Sequence, residues 1–508
     1  MNKYILKLIV VFILAVTACE DFLQLDPLDQ VSSSTFWKTK ADFDMGLTAN
    51  YGLLQHEYWS DQAPNFDCIT DNGYGQHNYG SSKDICSGSI SASTGGFIPG
   101  IYSVCFSSIA RNNIFLQQLA AYKGTDMSDA DKKLYEAEVR FLRAYFYFQL
   151  YFFYGDVPLV LEPVTLETQD RPKNTAAEIL TQVFTDIDFA IANLNPVAYS
   201  ANKGHATKSA AQALKARILM FTAYGNTGTP DIAILTQARD LCLAIKPLYS
   251  LSPLFENIFK DSGQKGNPEI IFSVNFLKPD SRSDYDLWYG DWIVISPLGN
   301  FVKAFECSDG LDYGVSPLTN LTDPFVDRDP RLNKTVFKDH PDWGGGNVHF
   351  PTNSRPTTFG LKKYLSPENT PYGYSTMTQT NAVKFRLGEI LLMYAEAQNE
   401  IAGPDATVYQ AMTDIRARVS MPALPAGLTK DEMREKIRKE RRIELAFEEG
   451  LRYYDLKRWR TAGTVLNAVT QADGLLPYKF EDKFYKWPLP QSEIDKSKGI
   501  LIQNSDYQ

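Results

Sequence analysis

One segment, from Leu134 to Phe152, constrains the fold of this chain more than any other, because it is apolar around the whole circumference of a helix. Residues spaced three and four apart form one apolar stripe: Leu134, Ala137, Phe141, Ala144, Phe148 and Phe152. Aromatic residues cover the other faces: Tyr145, Phe146, Tyr147 and Tyr151. Ser128 and Asp131 form a capping-box pattern before the segment, and Gly155 stands just beyond it. We therefore expect a long helix buried in the middle of the fold.

Capping signals and small residues predict further helices that pack in close pairs. The capping-box pattern recurs at two helix starts, Thr175 to Glu178 and Thr429 to Glu432. The segments 209–224 and 387–401 carry alanines that would let a neighbouring helix approach closely. The fold class that these patterns predict is mainly α.

Two long segments, 65–99 and 278–382, are rich in Gly, Ser, Pro, Asn and aromatic residues and keep no sustained period. We interpret both as loop-rich regions on a helical scaffold, and loops of this length usually carry function. No Pro/Ser-rich linker or charge block divides the chain. We predict one compact unit over residues 19–508, with the helical scaffold at about 19–64, 100–277 and 383–508.

The densest run of charge, Lys430 to Arg460, predicts a structural helix and not a nucleic-acid arm. Its acidic and basic residues are interleaved at distances that permit pairing three and four residues apart. An apolar stripe between Ile443 and Tyr454 gives this helix a face to bury. The whole chain carries a formal net charge of −9, whereas binding to nucleic acid needs a net basic face. We expect no nucleic-acid partner.

The amino-terminal segment predicts a secretory leader that ends at a cysteine. Lys3 and Lys7 precede an apolar run from Leu8 to Val16, about half of the roughly 20 residues that a membrane-spanning helix needs. The sequence VTAC, from Val16 to Cys19, resembles the lipobox of bacterial lipoproteins, so residues 1–18 would be removed and Cys19 would carry the lipid. Several acyl chains anchor a protein stably to a membrane. The alternative is a secreted protein with a chance cysteine near its cleavage site.

The other cysteines, the histidines and the acidic clusters form no recognisable catalytic or metal-binding motif. Five cysteines remain beyond Cys19 without C-x-x-C spacing, and either they are buried free thiols or Cys68 and Cys86 form a bridge. The sequence contains no H-E-x-x-H, G-x-S-x-G or P-loop motif. For the cluster Asp323, Asp327 and Asp329, the alternatives are a calcium site and a turn held by Asp and Arg residues. We predict no metal site and no cofactor.

The segment from Glu440 to Trp459 resembles the carboxy-terminal signature of the SusD/RagB family of Bacteroidetes outer-membrane lipoproteins. That signature is a glutamate- and arginine-rich helix that ends in Gly-x-Arg-x-x-Asp-Leu-x-Arg-Trp, a pattern present here. Other segments resemble family segments in the same order: the lipidated start CEDFLQLDP, the central helix Ala137 to Leu159, the late helix Phe385 to Glu400 and the tail Trp487 to Tyr507. The tail departs from the family pattern at Lys498-Gly499 and Ser505-Asp506, where Asn-Pro and Pro-Gly are expected.

The resemblance implies a fold of tetratricopeptide-like helix pairs that carry an irregular, loop-rich region. It also implies a non-catalytic lipoprotein that captures a nutrient, usually a glycan, and delivers it to a SusC-like TonB-dependent transporter in the outer membrane. The acidic pair Glu20-Asp21 resembles the sorting signal that sends such lipoproteins to the outside face. Two alternatives stay open, which are capture of peptides by the same architecture and a glycoside hydrolase with two carboxylates flanking the scissile bond.

Aromatic residues in the loop-rich regions are the candidates for ligand contact, because sugar rings present apolar faces ringed by hydroxyl groups. We predict that six of them bind ligand: Trp288, Tyr289, Trp292, Trp343, Tyr74 and Tyr79. Carboxylate and amide side chains lie beside them in the sequence: Asp71, Asn72, Asn78, Asp284, Asp286 and Asp291. The alternative is that these rings belong to the core, since the four-residue spacing of Trp288 and Trp292 also fits one helical turn or a buried corner.

Overall fold

The computed structural model describes residues 36–196, 204–338, 357–470 and 477–508. In these ranges the helices of eight or more residues are α1 (Lys40–Gly52), α2 (Phe97–Ala121), α3 (Asp129–Tyr154), α4 (Ala176–Asn193), α5 (Lys208–Thr222), α6 (Ile232–Ile245), α7 (Leu387–Ala402), α8 (Ala406–Arg418), α9 (Lys430–Glu444) and α10 (Leu451–Arg458). The strands are β1 (Gly73–Gly75), β2 (Ile270–Val274), β3 (Ile295–Pro297), β4 (Val336–Lys338), β5 (Phe359–Leu361) and β6 (Ala382–Arg386). None of the described helices is long and apolar enough to cross a membrane.

Helix α3 is the long aromatic helix that the sequence predicts, and it lies at the centre of the main core. The backbone N–H of Asp131 donates to Oγ of Ser128 at 3.1 Å, and the N–H of Ser128 donates to Oδ2 of Asp131 at 3.2 Å, which completes the predicted capping box. Every side chain from Phe141 to Leu150 is buried. Gly155 ends the helix with φ 79°, a left-handed conformation that favours glycine. The prediction of a central, buried helix is confirmed.

The longer helices from α1 to α8 pack in chain order, each against the next. Contacts join α2 to α3, α3 to α4, α4 to α5 and α5 to α6, and α7 then packs on α6, α8 and α9. Small side chains permit these close approaches, since Ala210, Ala213 and Ala216 of α5 and Ala395 and Ala397 of α7 are all fully buried. The predicted scaffold of helix pairs is confirmed.

The two loop-rich regions are joined by a short sheet. Strand β1, from the first region, pairs antiparallel with β3, from the second, in a register that sets Gly73 opposite Pro297 and Gly75 opposite Ile295. Strands β4 and β5 form a second small sheet within the later region, and β2 pairs with β6 where that region meets α7. The pairing of β1 with β3 therefore brings residues more than 200 positions apart in the chain to one place.

The charged segment differs from the single self-paired helix that its spacing predicts. Helix α9 ends at Glu444 and α10 begins at Leu451, and the backbone between them takes positive φ at Phe447, Glu449 and Gly450. Pairs three residues apart do form at the exposed start of α9, including Arg434 with Asp431 and Arg438 with Glu435. Local pairing therefore explains only part of this charge.

Most of the remaining charge in this segment enters a buried ion network with other elements. Glu444 accepts from Arg386 of β6 at 2.7 Å, from Arg418 of α8 at 2.5 Å and from Arg331 at 2.9 Å. Arg386 also pairs with Glu448 at 2.7 Å and with Glu269 at 2.8 Å. The pair of Arg331 with Glu444 joins the later loop-rich region to the helical scaffold, and the other pairs join elements of the scaffold to one another.

For the cysteines the structure shows free thiols, and for the aspartate cluster it shows a turn held by side-chain contacts. Five cysteines in the described residues are free and buried: Cys68, Cys86, Cys105, Cys242 and Cys307. Arg331 donates to Asp329 at 3.1 and 2.7 Å, and Lys338 pairs with Asp323 at 2.5 Å, so Asp, Arg and Lys residues hold the turn. The described residues contain no group of three or more His, Cys, Asp or Glu side chains positioned to hold a metal ion.

Candidate ligand-binding surface

A π-helical turn, Asp286–Asp291, occupies the loop-rich stretch in which the sequence predicts ligand contacts. The N–H of Trp292 donates to the carbonyl oxygen of Leu287 at 2.9 Å, five residues earlier, as a π turn requires. This wider turn changes the direction in which successive side chains point. Trp288 and Trp292 face outward and are half-buried, whereas Tyr285 and Tyr289 face the core.

Hydrogen bonds to distant segments of the chain hold this turn in place on its buried side. The backbone N–H of Asp284 donates to Oδ2 of Asp61 at 2.7 Å, and the hydroxyl of Tyr289 donates to the carbonyl oxygen of Asp61 at 2.8 Å. On the other side, Asp286 accepts from the N–H of Ser366 at 2.9 Å and from Nδ2 of Asn369 at 2.8 Å. Buried carboxylates and a buried phenol therefore fix the position of the two tryptophans.

Five aromatic side chains form a continuous line, which we call the aromatic row: Tyr58, Tyr79, Trp288, Trp292 and Tyr374. Ring centroids are separated by 6.4 Å from Tyr58 to Tyr79, 5.9 Å from Tyr79 to Trp288, 4.9 Å from Trp288 to Trp292 and 5.5 Å from Trp292 to Tyr374. The first four side chains are half-buried and the last is 74% exposed. The row therefore presents aromatic surface to solvent along its length.

The core beneath the row positions the rings at its Tyr58 end. Phe97, which is fully buried, contacts the rings of Tyr58 and Tyr79 at centroid distances of 5.4 and 5.8 Å. Gly100 of α2 allows the ring of Tyr58 to lie on the helix, because a Cβ atom there would come within 2.5 Å of that ring. Ring contacts and the absence of a side chain at one helical position thus hold this end of the row.

Adjacent rings of the row are tilted against each other. The interplanar angle is 85° between Trp288 and Trp292, 73° between Trp292 and Tyr374 and 62° between Tyr58 and Tyr79. Edge-to-face contacts of this kind are favourable for aromatic pairs, so the rings support one another without a ligand. The row offers a series of differently oriented apolar faces and edges.

Acidic groups lie under and beside the row. Burial raises the pKa of Asp61 to about 6, and the neighbouring charges of Asp284 and Glu57 act in the same direction. Burial likewise raises the pKa of Asp286 to about 6, against the hydrogen bonds from Asn369 and Ser366. Burial and then Glu57 hold the pKa of the Tyr79 hydroxyl well above its usual range. Each of these carboxyl groups loses its proton below neutral pH.

The structure brings three of the predicted binding residues together and corrects two others. Tyr79, Trp288 and Trp292 are neighbours in the row, and their contact with ligand stays a prediction. Tyr289 is fully buried in the core, and Tyr74 is 2% exposed in β1, so neither can offer a ring face to a ligand. The π turn and the pairing of β1 with β3 direct these two side chains inward. Cys19 and Trp343 lie outside the described residues.

The sequence prediction missed the two ends of the row. Tyr58 lies in the short helix Glu57–Trp59, and Tyr374 follows a Pro-Tyr-Gly turn at the end of the later loop-rich region. A run of aromatic and histidine residues at His56 to Trp59 and the turn residues before Tyr374 were the available signals. Neither signal shows that the segments meet, because they are separated by about 300 residues of chain.

Comparisons with known proteins agree over nearly the whole chain. Residues 253–507 match the model described as the SusD family, and residues 21–220 match a model described as starch-binding associating with outer membrane. A curated relative, SusD-like protein P38 of Formosa agariphila, is 25% identical over 94% of this chain and 96% of its own length. SusD-like protein P2 of the same organism is 24% identical over the full length of both chains.

Solved structures share the fold. A SusD-like carbohydrate binding protein from Bacteroides fragilis superimposes with a TM-score of 0.79 at 24% identity and covers 93% of this chain and 100% of its own. A second SusD-like protein from Bacteroides fragilis gives a TM-score of 0.76 at 25% identity over 95% of this chain and 100% of its own. With a family model that matches half of the sequence and a fold shared over its length, the chain belongs to the SusD family, whose members are non-catalytic binding proteins.

Proposed function

We propose that this chain is a cell-surface lipoprotein that captures a glycan on the aromatic row. The row itself carries the proposal, because partly exposed rings backed by the core suit the apolar faces of sugars, while carboxylates nearby can accept hydrogen bonds from sugar hydroxyl groups. The family description that matches residues 21–220, starch-binding associating with outer membrane, supports the same ligand class. An extended peptide would be bound chiefly through backbone hydrogen bonds at a strand edge, which the row does not resemble.

The proposal extends to the membrane and to a transporter. Residues 1–18 form the signal peptide, Cys19 carries the lipid that holds the protein on the outer membrane, and residues 19–508 form one SusD-like domain. The bound glycan passes to a SusC-like TonB-dependent transporter. The lipobox-like sequence before Cys19 and the outer-membrane association in the matched family description support this part of the proposal.

Substitution of the two central tryptophans tests glycan capture. We expect Trp288→Ala and Trp292→Ala each to weaken binding to a retained polysaccharide roughly tenfold, equivalent to about 1.4 kcal/mol, since each removes one apolar face from the row. Binding is measured by affinity electrophoresis of the full-length protein in detergent against a panel of polysaccharides. Both side chains are half-buried, so the free energy of unfolding is measured in parallel.

The matched control is Phe184→Ala, which removes a half-buried aromatic ring from α4, outside the row. We expect this variant to bind like the unmodified protein. Equal losses of binding in the control and the row variants would show that the loss is not specific to the row. Loss of folding in both row variants would show that the tryptophans are core residues. Retention of peptides, but of no polysaccharide, would favour the alternative function.

A further inference from the structure

The surroundings of the aromatic row carry more negative than positive charge. Six carboxyl side chains lie on or next to the segments that form the row: Glu57, Asp61, Asp284, Asp286, Asp291 and Glu368. The cations near the same segments are Lys83, Arg282 and Lys278. Arg282 is already used, since its Nε pairs with Asp284 at 3.0 Å. The carboxylates named here outnumber these cations.

Several of these carboxylates are satisfied by neutral donors. Glu57 accepts from Nε2 of Gln62 at 3.1 Å, and Asp61 and Asp286 accept from backbone or amide N–H groups. In the described part of the chain, no lysine or arginine forms an ion pair with Glu57, Asp61 or Glu368. A ligand that lies along the row would therefore meet a net negative field.

This field bears on the kind of glycan that the row can hold. A uronate or sulfate group brought close to several carboxylates is repelled, and partial exclusion of water beside the rings strengthens the repulsion. A neutral sugar suffers no such repulsion, and its hydroxyl groups can donate to the same carboxylates. The same acidic groups would thus oppose one class of polymer and assist the other.

We infer that the aromatic row selects uncharged polysaccharides and rejects those that carry uronate or sulfate groups. This inference rests on the proposed function, because it assigns the class of glycan bound by that same surface. It assigns a selective role to Glu57, Asp284 and Glu368, whose side chains are at least partly exposed beside the row. The rings supply affinity, and these carboxylates supply discrimination by charge.

The full-length protein is first tested against a panel of neutral, uronate-containing and sulfated polysaccharides. The polymer chosen is the one that it binds most tightly and that Trp288→Ala binds more weakly. That polymer is then lightly carboxymethylated, or hydroxyethylated to the same degree as a neutral control for bulk. We expect the retained polymer to be neutral, and carboxymethylation to weaken its binding at least tenfold more than hydroxyethylation. The triple variant Glu57→Gln, Asp284→Asn, Glu368→Gln should recover at least threefold of the binding lost to carboxymethylation.

The control variant is Glu435→Gln, which removes one negative charge from the exposed face of α9 and should recover nothing. Retention through Trp288 of an acidic polymer as the best ligand overturns the inference but leaves glycan capture intact. So does equal weakening by the two modifications, or recovery in the control as large as in the triple variant. Failure to retain any polymer removes the proposed function, and the inference with it.

Discussion

At the scale of single residues, the structure contains carboxyl groups that are buried without a cation. Asp67 is fully buried, and its Oδ2 accepts from the backbone N–H of Phe447 at 2.6 Å and from Nδ2 of Asn72 at 3.0 Å. Its Oδ1 has no hydrogen-bond partner among the described residues. Burial raises the pKa of Asp67 to about 6, against those two hydrogen bonds. The ionised form is therefore costly at neutral pH.

We predict that Asp67→Asn changes the pH dependence of stability. Between about pH 4 and pH 6 the folded protein keeps a proton on Asp67 that the unfolded chain has released, so the free energy of unfolding falls as pH rises through this window. The variant lacks this decline and should gain about 2 to 3 kcal/mol relative to the unmodified protein between pH 4 and pH 7. Urea unfolding at both pH values checks this. Asp240→Asn, at an exposed site, should leave the pH profile unchanged.

Side-chain direction in the loop-rich regions is what the sequence could not predict. The crowding of aromatic residues around Trp288 suggested ligand contacts, yet Tyr289, one position later, is buried. Its direction depends on a hydrogen bond to Asp61, 228 residues earlier, which no local pattern reveals. Such segments lack the regular spacing that separates buried from exposed positions in a helix. The direction of each ring therefore depends on contacts with residues that are remote in sequence.

At the scale of elements, helix starts are the features that the sequence predicts best. The capping boxes at α3, α4 and α9 all form, because the hydroxyl and the carboxylate that satisfy the first free N–H groups lie within four residues of each other. The break between α9 and α10 was not predicted. There the chain turns so that Glu448 and Glu449 reach partners on other elements, including Lys363 and Arg217. These long-range ion pairs therefore outweigh the tendency of the segment to continue as one helix.

We predict that Thr429→Ala lowers the free energy of unfolding by about 1 kcal/mol, because it leaves an N–H group at the start of α9 without its hydroxyl partner. Thr181→Ala is the matched control. Its hydroxyl donates to a carbonyl oxygen inside α4, where that oxygen already has a helical partner, so the change should lie within about 0.5 kcal/mol of zero. Thermal or urea unfolding of the two variants separates these outcomes. Equal effects would mean that the capping bond contributes nothing.

At the scale of the whole molecule, buried ion pairs connect the helical scaffold to the loop-rich regions. The neighbouring guanidinium groups of Arg418, Arg386 and Arg331 overcome the effect of burial and hold the pKa of Glu444 well below its usual range. These partners lie 26 to 113 residues away in the chain. The sequence displays the charges but not their partners, which explains why it suggested local pairs. Folding brings these distant partners to Glu444, so the carboxy-terminal end of α9 is buried and joined to other elements.

We predict that Glu444→Gln lowers the free energy of unfolding by about 3 to 5 kcal/mol, since it removes a counter-charge that three buried guanidinium groups share. Glu435→Gln removes an exposed partner of Arg438 and should cost less than about 0.5 kcal/mol. Urea unfolding at pH 7 compares the two. A similar small effect for both would mean that water reaches the Glu444 cluster and screens it.

The aromatic row is assembled from segments near residues 58, 79, 290 and 374, each supported by a different part of the chain. A molecule truncated during synthesis, or one that has folded only its helices, would possess some of the rings and none of their arrangement. Under the proposed function, retention of a glycan would therefore report that all four segments have reached their places.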